Sequence, residues 1–163
     1  MKVEDLPEDP TVAAWVAIVR ASNGIISAVA ADAKAAGLPP LEWYDVLWEL
    51  ERSGKPGLRP FELENGLLLA QYNLSRLIDR MASAGYVEKR ACPSDGRGQI
   101  IVLTEKGRAL RKKIWPTYLA AIRKHVGSHL SEKDSRALCR YLVPMIPERE
   151  TGTKGKSAAN CGE

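Results

Sequence analysis

Residues 74–107 read LSRLIDRMASAGYVEKRACPSDGRGQIIVLTEKG, and this stretch decides the fold. Its first part repeats apolar residues at the spacing i, i+3, i+4 and i+7 of a helix with one buried face: Leu74, Leu77, Ile78 and Met81. The pattern then becomes that of two strands, at residues 86–90 and 99–103, joined by a segment with the composition of a hairpin loop. The stretch therefore predicts a helix followed directly by a β-hairpin.

Further helices are predicted on both sides of this unit. Their expected positions, with that of the central helix, are about residues 11–34, 41–52, 59–65, 70–84 and 104–126, and a last helix opens at residue 131. Thr11 and Thr104 are expected to cap two of them, and Ser131 with Asp134 has the spacing of a capping box. The predicted fold class is mainly α with a small β-hairpin, followed by a disordered polar tail at residues 147–163.

Positive charge is concentrated in the middle of the chain. The 163 residues carry a net charge of +4. Residues 1–50 hold three Lys or Arg against eight Asp or Glu, whereas residues 51–113 hold thirteen against seven. A basic central segment of this kind suits a surface that binds phosphates.

The composition predicts a cytoplasmic protein without a membrane span. Polar residues interrupt the apolar first helix, and the acidic start lacks the positive charge of a signal peptide. The cysteines Cys92, Cys139 and Cys161 are odd in number and far apart, which argues against a disulfide framework and against a metal site. Cys92 falls in the expected hairpin loop and is the candidate for any redox chemistry.

The face of the 70–84 helix opposite the apolar stripe is polar. Its side chains donate and accept hydrogen bonds in ways that suit base edges and phosphates: Gln71, Tyr72, Ser75, Arg76 and Arg80. An ordinary amphipathic surface helix has the same pattern, so this helix alone leaves both interpretations open. On the first predicted strand, Lys89 and Arg90 are suited to phosphate contact.

Several linked motifs resemble the MarR family (multiple antibiotic resistance regulators) in their order and spacing. They occupy residues 75–81, 85–90, 95–97 and 102–107. The resemblance implies a bacterial winged helix-turn-helix regulator of transcription that binds double-stranded DNA as a homodimer at a palindromic operator. In this family the commonest mode is repression, released by a small aromatic or drug-like ligand.

The resemblance also implies an organisation and individual roles. One domain would span residues 1–146, with a winged core at about 41–104 between dimerisation helices at about 11–36 and 104–146. Arg97 corresponds to the wing-tip side chain that enters the minor groove, and Asp95 to a residue that holds this tip. Arg76 and Arg80 fall where the family has a basic pair on the recognition helix.

Two residues near the recognition helix need an explanation of their own. The negative charge of the Asp79 carboxylate opposes contact with phosphate. We therefore expect Asp79 to support the wing by pairing with an arginine such as Arg90. Ala70 stands where the family often has a serine, in the run Leu68-Leu69-Ala70 instead of Gly-Leu-Ser. Alanine cannot cap the helix as serine does, which costs about 0.5–2 kcal/mol at a typical site.

Aromatic residues gather in the first two helices: Trp15, Trp43, Tyr44 and Trp48. The family commonly has a small-molecule pocket between the dimer helices and the DNA-binding lobe, so these rings are candidates for its lining. Glu42 and Asp45 are placed to orient a polar or cationic ligand. Packing in the core or at the dimer contact is the commoner role of such rings, and both interpretations stay open.

The alternatives to a ligand-responsive DNA-binding protein come from other classes. No phosphate-binding loop, nucleophile elbow or catalytic pairing is present in the sequence, so we expect neither an enzyme nor a cofactor. His125 and His129 lie four residues apart, but they supply two of the four ligands that zinc usually takes, so no metal site is predicted. A metal-responsive regulator and a winged-helix module that binds protein are the remaining alternatives.

Overall fold

The computed structural model describes residues 2–68, 73–92 and 95–146, without the side chains of residues 3 and 95–97. Its helices are α1 (Pro10–Ala35), α2 (Leu41–Arg52), α3 (Pro60–Gly66), α4 (Leu74–Ser83), α5 (Glu105–Ile122) and α6 (Glu132–Leu142). A π-helical turn at Arg123–Gly127 extends α5, and the strands β1 (Val87–Cys92) and β2 (Asp95–Leu103) pair antiparallel. Short 3-10 turns lie at Val3–Asp5 and Val143–Met145. The predicted fold class is confirmed.

The ends of the helices follow local capping chemistry. The prediction that Thr11 caps α1 is wrong, because the Asp9 carboxylate accepts the N–H groups of Thr11 and Val12 at 2.8 and 3.1 Å. The capping box between Ser131 and Asp134 at the start of α6 is confirmed. These caps satisfy N–H groups that have no partner within the helix.

The main core lies where α2, α3 and α4 meet the hairpin. Its most deeply buried side chains come from each of these elements: Leu47, Leu63, Met81 and Ile101. Leu58 joins the hairpin through two backbone hydrogen bonds with Ile101, of 3.0 and 2.8 Å, so a third short segment lies along the edge of the wing. The hairpin is thereby fixed to the three helices on one side.

The hairpin is longer than predicted. Regular pairing runs from Val87 opposite Leu103 to Ala91 opposite Gln99, and the register shifts between Ala91 and Cys92. The prediction that Cys92 lies in an exposed loop is wrong, because it ends β1 and is only 2% exposed. Cys92 therefore lies at the turn end of β1 with its side chain buried.

A second, smaller core joins α1 to α5. Val29 and Ala33 of α1 pack with Leu41 and Ala121. Next to them, the Asp32 carboxylate accepts hydrogen bonds from Lys124 at 3.0 Å, and it lies 2.8 Å from His125 Nε2. These two partners, Lys124 first, lower the pKa of Asp32.

Helix α1 is apolar along most of its length. By length and composition alone it could cross a membrane, although the polar residues that interrupt it led us to predict no membrane span. One side of α1 packs on α5, and its other side leaves large apolar residues exposed: Val12, Trp15, Ile18 and Ile26. This side of α1 is apolar surface that the rest of the described chain leaves uncovered.

The junction between the hairpin and α5 depends on close packing. As predicted, Thr104 caps α5: its hydroxyl accepts the N–H of Gly107 at 3.0 Å and lies 2.8 Å from the carbonyl oxygen of Gly85. A side chain at Gly107 would overlap the carbonyl oxygen of Tyr86 and come within 2.8 Å of a Leu103 methyl group. Glycine is needed here for close approach.

We expect Gly107→Ala to lower the free energy of unfolding by about 1–3 kcal/mol, the usual cost of overpacking a core. The matched control is Gly127→Ala, because the nearest heavy atom to a side chain there is 3.9 Å away. The control should change stability by no more than about 1 kcal/mol. Urea unfolding of both variants measures the difference, and equal midpoints would contradict the packing described at this junction.

Candidate nucleic-acid interface and aromatic cleft

Helix α4 is the candidate recognition helix, and it begins later than predicted. It starts at Leu74, with Asn73 as its N-terminal boundary, instead of near residue 70. The predicted capping position Ala70 and the candidate contacts Gln71 and Tyr72 lie outside the described residues. The sequence pattern therefore located the helix but not its first turn.

The two faces of α4 divide as the periodicity predicted. The apolar stripe is buried: Leu74, Leu77, Ile78 and Met81. The polar residues are exposed: Ser75, Arg76, Asp79 and Arg80. Packing of the first face against the core turns the second face, with both arginines, toward solvent.

The first strand of the hairpin joins this exposed face. Lys89 of β1 forms an ion pair with Asp79 of α4. Arg90 instead pairs with Glu88 on its own strand, at 2.6 Å, so the expected pairing of Asp79 with Arg90 is wrong. Residues two apart on a strand share a face, which places Arg90 beside Glu88 and directs Lys89 to the other side. Asp79 still ties α4 to the wing, as expected, but through Lys89.

A shallow cleft of about 430 Å³ separates α3 and α4 from the hairpin. Its polar lining includes Ser75, Lys89 and Gln99. Arg97 and Asp95 belong to β2 beyond Gln99, but their side chains lie outside the described part of the chain. The described residues thus bring Ser75, Arg76 and Arg80 on α4 close to Lys89 on β1, whereas Arg90 lies on the other face of that strand.

A second cleft, of about 520 Å³, lies between α2 and α5. We call it the aromatic cleft, and its lining residues are Tyr44, Asp45, Trp48, Leu68, Arg111, Trp115, Tyr118 and Ile122. The Tyr44 ring stacks with Trp115 at 5.8 Å and meets Tyr118 edge-on at 4.8 Å between ring centres. These contacts hold the rings in fixed orientations.

Two of the four rings predicted for a pocket line the aromatic cleft, namely Tyr44 and Trp48. Trp43 instead packs edge-on against Tyr86, 5.5 Å between ring centres, because neighbouring positions on a helix point to different sides. Trp15 does not line it either, and is 66% exposed on α1. Glu42, the other acid expected to orient a ligand, is also outside the lining.

Sequence reasoning missed the wall that α5 contributes. Its residues recur at helical spacing and share one side: Arg111, Trp115, Tyr118 and Ile122. The spacing that predicted the apolar stripe on α4 is also present in α5. It could therefore have indicated this wall from the sequence.

The polar groups of the aromatic cleft are paired. Arg111 forms an ion pair with Glu51, and its guanidinium lies 5.4 Å from the centre of the Trp48 ring. Burial raises the pKa of the Tyr44 phenol, and a hydrogen bond with Arg111 partly offsets this. Burial also raises the pKa of Tyr118, and the nearby Asp45 carboxylate adds to the increase. Both phenols therefore stay protonated at neutral pH.

The two histidines considered for a metal site are not brought together around a common point. His125 bonds to Asp32, whereas His129 is exposed beyond the π-helical turn. Among the described residues, no group of three or more His, Cys, Asp or Glu side chains is placed to hold a metal ion.

Comparison with known proteins gives a consistent result. A sequence profile of the MarR family matches residues 36–98. The HTH-type transcriptional regulator PecS of Dickeya dadantii (strain 3937) is 31% identical over 72 residues, which are 44% of this chain and 43% of that protein. The chain thus matches less than half the length of this curated relative.

Solved structures extend the likeness beyond this segment. AbsC, a MarR family transcriptional regulator from Streptomyces coelicolor, is 28% identical with a TM-score of 0.73, over 85% of this chain and 93% of that one. Sco3205, a MarR family regulator from the same organism solved in complex with DNA, is 24% identical with a TM-score of 0.71. Its match covers 81% of this chain and 82% of that one, and it bears on the fold alone.

The profile covers the segment that contains α2, α3, α4 and β1, and the likeness to AbsC includes most of the flanking helices. Both agree with the order of helices and the single hairpin described above. The chain therefore resembles the MarR family in sequence over residues 36–98, and its fold is similar to that of the MarR family regulator AbsC.

Proposed function

We propose that this protein is a cytoplasmic transcriptional regulator, not an enzyme, that binds a palindromic operator in double-stranded DNA as a homodimer. Repression is the proposed mode, with release by a small molecule. The observation that carries the proposal is the exposed polar face of α4, with Arg76 and Arg80, next to the basic strand β1. The curated relative PecS is an HTH-type transcriptional regulator, which supports the proposal.

The proposed DNA contacts divide by chemistry. Helix α4 enters the major groove with Ser75, Arg76 and Arg80. There arginine hydrogen-bonds with guanine and with phosphates. Lys89 and Arg90 face phosphates, since both keep part of their surface in solvent while an acid holds their position. Gln71 and Tyr72 extend the major-groove set, and Arg97, held by Asp95, enters the minor groove, whose negative potential attracts a guanidinium.

The proposed dimer covers apolar surface that one subunit leaves exposed. These residues lie on α1 and at the end of the described chain: Val12, Trp15, Ile18, Ile26, Leu138, Tyr141, Val143 and Met145. Contiguous exposed apolar patches on soluble proteins often mark interaction sites. We assign α1 and the segment from α5 to residue 146 to the dimer contact, within one domain over residues 1–146.

The aromatic cleft is the proposed site for the releasing ligand. It lies between α2, which belongs to the core under the wing, and α5, which carries the proposed dimer contact. A ligand that fills a pocket between two such parts of a protein can change their relative position. Its size of about 520 Å³ suits a small aromatic molecule.

The dimer proposal predicts that Trp15→Glu weakens dimerisation by about 30-fold or more, because a buried Trp is a frequent hot spot worth about 2 kcal/mol. Phe61→Glu is the matched control, since Phe61 is a similarly exposed ring on α3. Sedimentation equilibrium measures both. A wild-type protein that is monomeric at micromolar concentration, or equal effects of both variants, would contradict the proposed contact.

The DNA proposal predicts that Arg80→Ala and Arg97→Ala each weaken binding to a selected operator by about 1–3 kcal/mol. The wild-type affinity should also fall steeply as salt increases, because phosphate contacts release counterions. Lys2→Ala, in the exposed segment before α1, removes the same charge outside both the proposed DNA interface and the proposed dimer contact. Lys154→Ala does so in the C-terminal segment.

Fluorescence anisotropy at matched salt concentrations compares these variants, with thermal unfolding as a check of folding. Losses for Lys2→Ala and Lys154→Ala as large as those for Arg80→Ala and Arg97→Ala would mean diffuse attraction to DNA. That result would remove the assigned roles of α4 and the wing.

A further inference from the structure

The exposed face of α4 carries an acid between its two arginines. Arg76, Asp79 and Arg80 line one shallow hollow on the outer side of the helix. Asp79 is also paired with Lys89 of β1, and in this pair the Asp79 side chain is 59% exposed whereas that of Lys89 is 32% exposed. A molecule that approaches α4 therefore meets the carboxylate more readily than the ammonium group that it holds.

Both cations of the first strand are neutralised by acids. On the other face of β1 from Lys89, Arg90 pairs with Glu88. Together α4 and β1 contain four basic and two acidic residues, so their net charge is only +2. Attraction to DNA of any sequence grows with the number of phosphates that cations neutralise. The two acids therefore reduce the attraction that does not depend on base sequence.

Selectivity is the difference between the affinities for the operator and for other DNA. Binding to other DNA comes essentially from phosphate contacts, whereas binding to an operator adds hydrogen bonds with base edges. An acid that competes with phosphates for a cation therefore weakens the first kind of binding most. The Lys89–Asp79 pair also joins the hairpin to α4, which keeps two DNA-contacting elements together.

We propose that Asp79 is a specificity-determining residue that weakens binding to DNA outside the operator. On random DNA, its carboxylate competes with phosphates for the ammonium group of Lys89. On the operator, the same ion pair positions Lys89 and the hairpin beside α4, and base contacts supply further affinity. This inference rests on the proposed DNA-binding function.

Selectivity is measured by fluorescence anisotropy with the selected operator and with a scrambled duplex of the same length and composition. Asp79→Asn should bind the scrambled duplex at least about threefold more tightly than wild type, because it frees Lys89 for a phosphate. Its operator affinity should not rise, because the hairpin loses its ion pair with α4. The ratio of operator affinity to scrambled-duplex affinity should therefore fall at least about threefold.

Two control variants separate this effect from a general change of charge. Asp79→Glu retains the carboxylate, so it should keep the wild-type ratio. Glu4→Gln, in the exposed segment before α1, removes one negative charge outside the proposed DNA interface and should keep the ratio too. A fall of the ratio in Glu4→Gln as large as that in Asp79→Asn would overturn the specific role of Asp79.

The part played by Lys89 is tested by the dependence of affinity on salt. The affinity of Asp79→Asn for the scrambled duplex should fall more steeply with salt than that of wild type, by about one in log–log slope. This increase in slope should be absent when Lys89→Gln is added to Asp79→Asn, because no ammonium group is then freed. An increase that persists in the double variant would overturn the role of Lys89. Thermal unfolding verifies that each variant is folded.

The outcomes separate this inference from the function on which it rests. If Asp79→Asn loses operator affinity but binds the scrambled duplex as wild type does, Asp79 only supports the hairpin, and its role in specificity is overturned. An equal gain on both duplexes overturns that role as well. Either result leaves the DNA-binding function standing, whereas a wild-type protein that selects no DNA overturns the proposed function itself.

Discussion

Burial of one side of α4 is the constraint on which the rest of the structure depends. Leu77, Ile78 and Met81 pack into the core formed with α2 and the hairpin, and this burial fixes the rotation of the helix about its axis. With that rotation fixed, Arg76 and Arg80 face solvent on the side next to β1. Val87 and Ile101 of the hairpin pack in the same core, and the exposed Lys89–Asp79 ion pair adds a contact between the hairpin and α4. Packing supplies the stability, and the exposed face is a consequence of it.

Helix α2 links this packing to the aromatic cleft. Val46, Leu47 and Leu50 belong to the main core, whereas Tyr44 and Trp48 line the cleft on another side of the same helix. The same rigid helix therefore joins the cleft to the core, which gives the proposed ligand a physical connection to the core under α4. Asp45 adds a direct connection, since its carboxylate reaches the backbone beyond α3. A regulator needs such a route between a ligand and its DNA-binding face.

Much of the fold could be predicted because its determinants are local. The bounds of α2, the capping box of α6 and the buried stripe of α4 all follow from periodicity and caps that neighbouring residues define. The start of α4 could not be predicted in this way. Leu67 is buried and Leu68 is held by Asp45 from another helix, so tertiary contacts, not propensity, govern these two residues after α3.

In the candidate site, too, local sequence predicts some features and tertiary contacts decide the others. The exposed arginines of α4 were predicted from the face opposite its apolar stripe. The partner of Asp79 was not, because the choice between Lys89 and Arg90 depends on the face of β1 that meets α4. Tyr44 and Trp48 of the aromatic cleft were predicted, but Trp115 and Tyr118 were not. These two rings reach Tyr44 from a helix some seventy residues away in sequence. Periodicity indicates which residues share a face but not which face they meet.

The central claim is that two copies of this chain place two α4 helices in successive major grooves. Selection of bound fragments from random DNA, followed by hydroxyl-radical footprinting of the selected sequence, measures this arrangement most directly. We expect a palindromic site protected in two half-sites about one helical turn apart, roughly 10 base pairs between centres. Protection of a single half-site by one subunit, or the absence of any selected sequence, would contradict the claim.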